Sequence, residues 1–195
     1  RVVDNGIDTE RFRPNAELRT EVRAELGISP NVPIVAHVAR VDPMKDHTTL
    51  LRAMSELPDV ELLLIGCGTE QLASRPSWHG LGRRGDVPRL LAACDLIVSS
   101  SAYGEGFSNA IAEGMAAGLP AVSTDVGDAM RIIGESGRIV PPRDAKALAE
   151  AIHELAFEPM ACRVSRSLNA RGLIEKQFSI AKNVAAFEKI HASLV

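Results

Sequence analysis

Two carboxylates, Glu105 and Glu113, bracket the stretch Glu105-Gly-Phe-Ser-Asn-Ala-Ile-Ala-Glu113. A carboxylate repels phosphate, so its natural partners are hydroxyls, and its two oxygens suit the paired hydroxyls of a ribose or the ring hydroxyls of a sugar. Between them, Gly106 lets the backbone pass close to a ligand without a Cβ in the way. The free amides of a helix beginning near Asn109, with the helix dipole, favour a bound phosphate. A second set carries the opposite charge: Arg40 and Lys45. A fork-shaped guanidinium and a flexible ammonium suit a diphosphate, above all one that leaves with extra negative charge. Each set alone has a plainer reading, with Glu105 complementing a helix dipole, Glu113 a solvated helix residue, and Arg40 and Lys45 members of surface salt bridges. Taken together they fit a site for a sugar nucleotide.

These residues fall where strands end and helices begin. Glu105 follows the apolar run Asp95-Leu-Ile-Val-Ser-Ser and opens an alanine-rich helix, with Glu113 about two turns inside. Arg40 ends the apolar run Pro33-Ile-Val-Ala-His-Val-Ala-Arg40, and Lys45 lies in the loop entering a helix with Leu50, Leu51, Met54 and Leu57 on one face. Strands are expected at 33–40, 60–66, 77–80, 95–100, 120–123 and 137–140, separated by helices. That alternation is the pattern of an α/β, doubly wound, Rossmann-like parallel sheet, in which ligands collect beyond the carboxyl ends of the strands. Gly118 before Leu119-Pro120 is a helix stop, and Asp144 caps a helix carrying Leu148, Ile152 and Leu155. The C-terminal helices, 159–195, form a tail. Ile180, Val184, Phe187, Ile190 and Leu194 stripe its last helix, as core or as a face for another domain. Residues 1–195 read as a single nucleotide-sugar-binding domain with no internal repeat. The chain starts abruptly at Arg1, in a strand-like run leading to Asp4-Asn-Gly6, and reads as an excised piece of a longer protein.

The chain resembles the donor-binding half of the group 1 glycosyltransferases, glycosyltransferase family 4, which have the GT-B fold. The resemblance runs nearly end to end: Val3-Asp-Asn-Gly-Ile-Asp8 with Phe12 and Pro14, Val38-Ala-Arg40 with Lys45, and Leu62-Leu-Leu-Ile-Gly-Cys-Gly68. It continues through Gly82-Arg-Arg-Gly-Asp-Val-Pro88, the Glu105 to Glu113 segment, Gly118-Leu-Pro120, Ser123-Thr-Asp-Val-Gly127 and Gly137-Arg-Ile-Val-Pro-Pro142. It implies transfer of a sugar, with anomeric retention, from a UDP- or GDP-sugar to a glycan or lipid-linked acceptor bound by an absent N-terminal domain. Arg40 and Lys45 would hold the diphosphate and stabilise the leaving group. Glu105 would contact the donor sugar, the backbone of Gly106, Phe107 and Ser108 with Asn109 would face sugar and phosphates, and Glu113 would bind the ribose. Arg83 and Arg84 would line the nucleobase, or else be solvated. Polysaccharide biosynthesis in the cytoplasm, at the inner face of the membrane through peripheral association, is the setting the resemblance implies. The isolated piece is then a binding module with little transfer activity. Departures include Lys45-Asp46-His47 for the usual lysine–glycine pair and Gly127-Asp128 for a double glycine.

Composition fits a helix-covered sheet, with 46% hydrophobic residues and few aromatics. A net charge of −3 argues against nucleic acid as the main partner. Cys67, Cys94 and Cys162 carry no metal or redox spacing and fit a reducing compartment, with Cys67 and Cys94 as packing residues. His37 reads as a buried structural histidine, and His47 as an exposed residue at a helix start. No Asp-x-Asp occurs, and with Arg40, Lys45 and a helix terminus supplying positive charge, no cofactor or metal is required. Two rivals are weaker. A dinucleotide-binding oxidoreductase is suggested by Gly66-Cys-Gly68, but Gln71 stands where the third glycine belongs. A GT-B sugar-nucleotide epimerase would need carboxylates and a histidine arranged across two domains.

Overall fold

The computed structural model describes residues 2–193. Six short apolar runs form strands β1 (Ile34–Val38), β2 (Glu61–Ile65), β3 (Trp78–Gly80), β4 (Leu96–Ser99), β5 (Ala121–Thr124) and β6 (Gly137–Val140), within one residue of the predicted segments except that β1 ends two residues before Arg40. All pairings are parallel, in the order β3-β2-β1-β4-β5-β6. The helices are α1 (Ala16–Glu25), α2 (His47–Ser55), α3 (Val87–Ala92), α4 (Asn109–Ala116), α5 (Ala129–Ile133), α6 (Ala145–Ala156), α7 (Met160–Gln177) and α8 (Ile180–Ala192).

Side chains alternate across each strand, so one run of residues feeds two cores. Ile34 and Ala36 face a layer built from Val22 of α1, Leu90 of α3, Ile111 and Met115 of α4 and Ile174 of α7. Val35 faces the other, built from Leu50 and Met54 of α2 and Leu148, Ile152 and Leu155 of α6. Helices on both faces explain the near-continuous apolar strands. Asp144 caps α6 as expected, accepting from the Ala147 amide at 2.9 Å, and Gly118 ends α4 in the left-handed region at φ 83°. At the amino end of the central strands, Asp95 binds Arg19 at 2.7 Å and Arg23 at 2.6 Å, pinning α1 to the start of β4.

The chain runs outward from β1 through β2 to β3, then returns to the far side of β1 with β4. The strand order reverses between them, and beyond their carboxyl ends a crevice opens. Gly66 is needed there: a Cβ would sit 2.0 Å from the Ala39 carbonyl oxygen, so only glycine lets the ends of β2 and β1 pass this closely.

Four expectations are corrected. The N-terminal segment forms no strand among residues 2–6, and only Ile7 pairs, as a single bridge to Ser179. Of the two readings of the α8 stripe, core is the one overturned, since Ile180, Val184 and Phe187 are 46%, 46% and 58% exposed; Leu194 lies outside the described residues. Cys67 is exposed rather than packed, whereas Cys94 is buried. His47 is buried, because α2 turns its first residue inward against His37.

Candidate functional site

Three loops meet in the crevice. After β1 the chain makes a short 3₁₀ turn, Pro43–Lys45, begun by Asp42, whose carboxylate accepts from the Met44 amide at 2.9 Å. Asp46 then adopts φ 45° and caps α2, accepting from the Thr49 amide at 3.2 Å and hydroxyl at 2.6 Å. After β4, Ser100 donates to the Lys45 carbonyl at 2.8 Å and the Ala102 amide to the Met44 carbonyl at 2.8 Å, tying the second loop to the first. The third loop follows β5. Gly127 takes φ 60°, where a Cβ would lie 2.5 Å from the Glu105 carbonyl oxygen.

Those ties bring Lys45 and Glu105 together as a largely buried ion pair. The same Glu105 oxygen accepts from the Ser101 hydroxyl at 2.6 Å, and the Ser101 carbonyl accepts from Thr124 at 2.6 Å. Glu105 is therefore held from two strands. Arg40 stands outside this pair, exposed and bound to Asp42 at 2.9 Å. The amide of Met44 foremost, then Arg40, holds the Asp42 carboxyl below its usual range.

Helix α4 begins beside the pair. Ser108, at its N-cap, makes no side-chain cap, in contrast to the Asp46 and Asp144 caps of α2 and α6, which leaves its first-turn amides for a ligand. Gly106 is exposed, and its carbonyl accepts from the Asp128 amide at 3.2 Å. The Phe107 ring turns inward onto Phe178, centroids 5.3 Å apart, so that residue offers the crevice its backbone alone.

Glu113 lies one turn inside α4, not two, because the helix starts only at Asn109. It is half-buried, and desolvation raises its carboxyl above the ordinary range against the opposing pull of Arg11. With Asn109 it lines a cavity of about 490 Å³ that also involves Asn5, Arg11 and Phe187. Arg83 and Arg84 stand apart, exposed after edge strand β3, with Arg84 bound to Asp86 at 2.7 Å.

Behind the first loop lies a pair of buried histidines. His37 on β1 makes a contact of 3.0 Å between Nδ1 and the Val98 carbonyl of β4, bridging the two strands of the crevice. His47 packs edge-on against it, centroids 4.8 Å apart. Burial, with His47 and Lys45 nearby, pushes His37 down to about 3, and burial also lowers His47. His47 lies beside the Ala39 backbone, yet neither of its ring nitrogens has a hydrogen bond of good geometry.

Sequence reasoning missed Ser101 and Arg11. The serine lies one residue past the apolar strand run, and Arg11 reaches Glu113 from a segment 102 positions away in the chain. Gly66-Cys67-Gly68 leads into a 3₁₀ turn, Thr69–Leu72, rather than an α-helix, so the dinucleotide alternative lacks the helix terminus that would hold its phosphates. A cavity of about 880 Å³ between α2 and α6 lies on helix flanks away from this chemistry.

The profile of the family described as "Glycosyl transferases group 1" matches residues 32–157, which includes Arg40, Lys45, Glu105 and Glu113. The chain belongs to the group 1 glycosyl transferases. It is 33% identical over 172 residues to a D-inositol 3-phosphate glycosyltransferase of Mycobacterium marinum, covering 79% of this chain and 36% of that protein. It is 30% identical over 217 residues to the lipopolysaccharide core biosynthesis mannosyltransferase LpsB of Rhizobium meliloti, covering 100% of this chain and 61% of that one. The crystal structure of Anabaena HepE in complex with UDP and glucose superposes with a TM-score of 0.88 at 26% identity, covering 99% of this chain and 56% of that one. This group 1 chain thus has the Rossmann-like α/β architecture of GT-B glycosyltransferases, and it spans between 36% and 61% of the length of these relatives.

Proposed function

We propose that this domain binds the nucleotide diphosphate sugar donor of a retaining glycosyltransferase, which passes the sugar to a glycan or lipid-linked acceptor. The observation that carries this reading is the Lys45–Glu105 pair at the topological switch point, beside the uncapped start of α4. A cation, a hydroxyl-binding carboxylate and free helix amides in one crevice match the three parts of a sugar diphosphate: phosphate charge, sugar hydroxyls and phosphate oxygens. Supporting it, HepE is seen with UDP and glucose.

In this reading the diphosphate draws Lys45 from Glu105. The ammonium and the Arg40 guanidinium then offset the charge that develops on the departing phosphate, while the α4 amides hold its oxygens. Released from Lys45 but still oriented by Ser101, Glu105 accepts from hydroxyls of the donor sugar. Glu113, half-desolvated with Arg11 nearby, accepts from the ribose hydroxyls, and Arg83 and Arg84 border the base. The positive charge a divalent ion would bring is already supplied by side chains, so donor binding is metal-independent. The full-length protein would carry the transfer activity.

Calorimetric titration of the chain with UDP, GDP, ADP and CDP, with chelator present and a dinucleotide as control, tests the reading. Selective binding of one or two diphosphates is expected. Dinucleotide binding without diphosphate binding would overturn the assignment, and a signal lost to chelator would overturn metal independence.

A further inference from the structure

Most guanidiniums of this chain end on an acid or a carbonyl: Arg23 on Asp95, Arg89 on Glu21 and Glu25, Arg138 on Glu154. Two that do not are neighbours. Arg52 of α2 and Arg143, which follows β6, have no ion-pair or hydrogen-bond partner among the described residues, and both line one cavity of about 430 Å³. Its walls also carry Thr48, Tyr103 and Asp46, and the Asp46 carboxylate is already taken by Thr49 at 3.2 and 2.6 Å. The two guanidiniums outnumber that one carboxylate, so the cavity carries a net positive charge. The adjoining cavity of about 880 Å³ shares them but adds Lys146, Glu56, Asp144 and Glu150, so it has no such surplus.

Arg143 is also held against its backbone preference. Its φ of 63° lies in the left-handed region that glycine occupies freely and a side chain resists. A strained residue is a pointer to function only when other observations join it, and here its guanidinium is unpaired and borders a cavity. Tyr103, 51% exposed, stands across from it on the turn whose Ala102 amide donates to the Met44 carbonyl at 2.8 Å. The cavity therefore adjoins the Lys45 loop without using Arg40, Lys45 or Glu105.

We propose that this cavity is a second, separate anion site, binding a phosphate monoester or the phosphate dianion. Arg52 and Arg143 supply two positive charges against a group that carries nearly two negative ones at neutral pH, and guanidinium forks match its oxygens. The hydroxyls of Thr48 and Tyr103 supply further donors. The three free oxygens of a phosphate can engage both guanidinium forks and a hydroxyl at once, which the two oxygens of a carboxylate cannot, and this favours phosphate. The site does not depend on the donor reading, since it shares no residue with it.

Amide-resolved NMR titration tests this, using the whole chain with inorganic phosphate, a hexose 6-phosphate, and acetate at matched ionic strength. Arg143→Gly and Arg52→Gln are the variants, and the first suits a backbone at φ 63°, so its folding is not at risk. Saturable shifts at Thr48 and Tyr103 with phosphate, at least about tenfold weaker in either variant and absent with acetate, are expected from losing one of two charge-assisted contacts. Tighter binding of the hexose phosphate identifies an organic phosphate as the ligand, and equal binding identifies the free ion. No saturable shift at these amides, an undiminished response in both variants, or an equal response to acetate overturns the proposal.

Discussion

Glu105 and Glu113 bracket one short segment but live in opposite surroundings. Glu105 is gripped by Lys45 and by the Ser101 hydroxyl at 2.6 Å, on loops bound to each other across two strands. Glu113 has no bonded partner among the described residues, and burial raises its carboxyl toward the neutral form. One carboxylate is satisfied before any ligand arrives; the other carries a desolvation penalty that a hydroxyl donor would relieve. The crevice therefore has a pre-assembled half, where a charge must be exchanged, and an open half, where a hydrogen-bond acceptor waits.

The largest effect should come from stranding the satisfied partner. Lys45→Met leaves Glu105 largely buried without its cation and should lower unfolding stability by about 3 kcal/mol, the scale for one member of a buried pair. Adding Glu105→Gln should restore most of that in urea denaturation. If the double variant is no more stable than the single, the pair does not hold the loops.

Acid should separate the halves by sign. His37 stands at about 3 when folded against 6.5 unfolded, so its contribution is fully present above pH 6.5 and is lost as pH falls toward 3. Over the first 1.5 pH units of that window the loss should reach about 2 kcal/mol from this group alone. His47 is lowered too and acts in the same direction. Glu113 acts oppositely: its folded pKa is raised, so its contribution is present below the unfolded value of 4.5 and lost as pH rises through the folded one. Urea melts at pH 7.5 and 5.0 check this, and His37→Leu should flatten the difference. An unchanged slope in that variant would assign the acid sensitivity elsewhere.

Glu113→Ala should weaken nucleotide diphosphate binding by roughly 1–3 kcal/mol, through the loss of hydroxyl contacts, while leaving stability unchanged or slightly raised. Equal affinity by calorimetry would remove the ribose role. At the small end, Val184→Ser on the exposed face of α8 should change stability of this chain by less than about 0.5 kcal/mol, where a core valine would cost far more.

How much of this was legible from sequence follows from what each signal reports. Strands covered on both faces become unbroken apolar runs, so all six could be read, and Gly118 and Asp144 marked helix ends through backbone chemistry that is local. Lys45 and Glu105 could be picked by charge and position, but not as partners, since their contact depends on β1 and β4 being neighbours across 60 residues of chain. The stripe of Ile180, Val184 and Phe187 reports an amphipathic helix and says nothing of what covers it. His47 looked exposed because helix starts usually are; only the packing of α2 on His37 buries it.

The most direct test of the central claim is calorimetric titration of UDP, beside uridine, into the wild-type chain and into Lys45→Ala. If the crevice between β1 and β4 seats a diphosphate, UDP binds the wild type far more tightly than uridine does, and the substitution removes most of that difference while leaving uridine binding unchanged. UDP binding to the wild type that is preserved in Lys45→Ala would contradict the account.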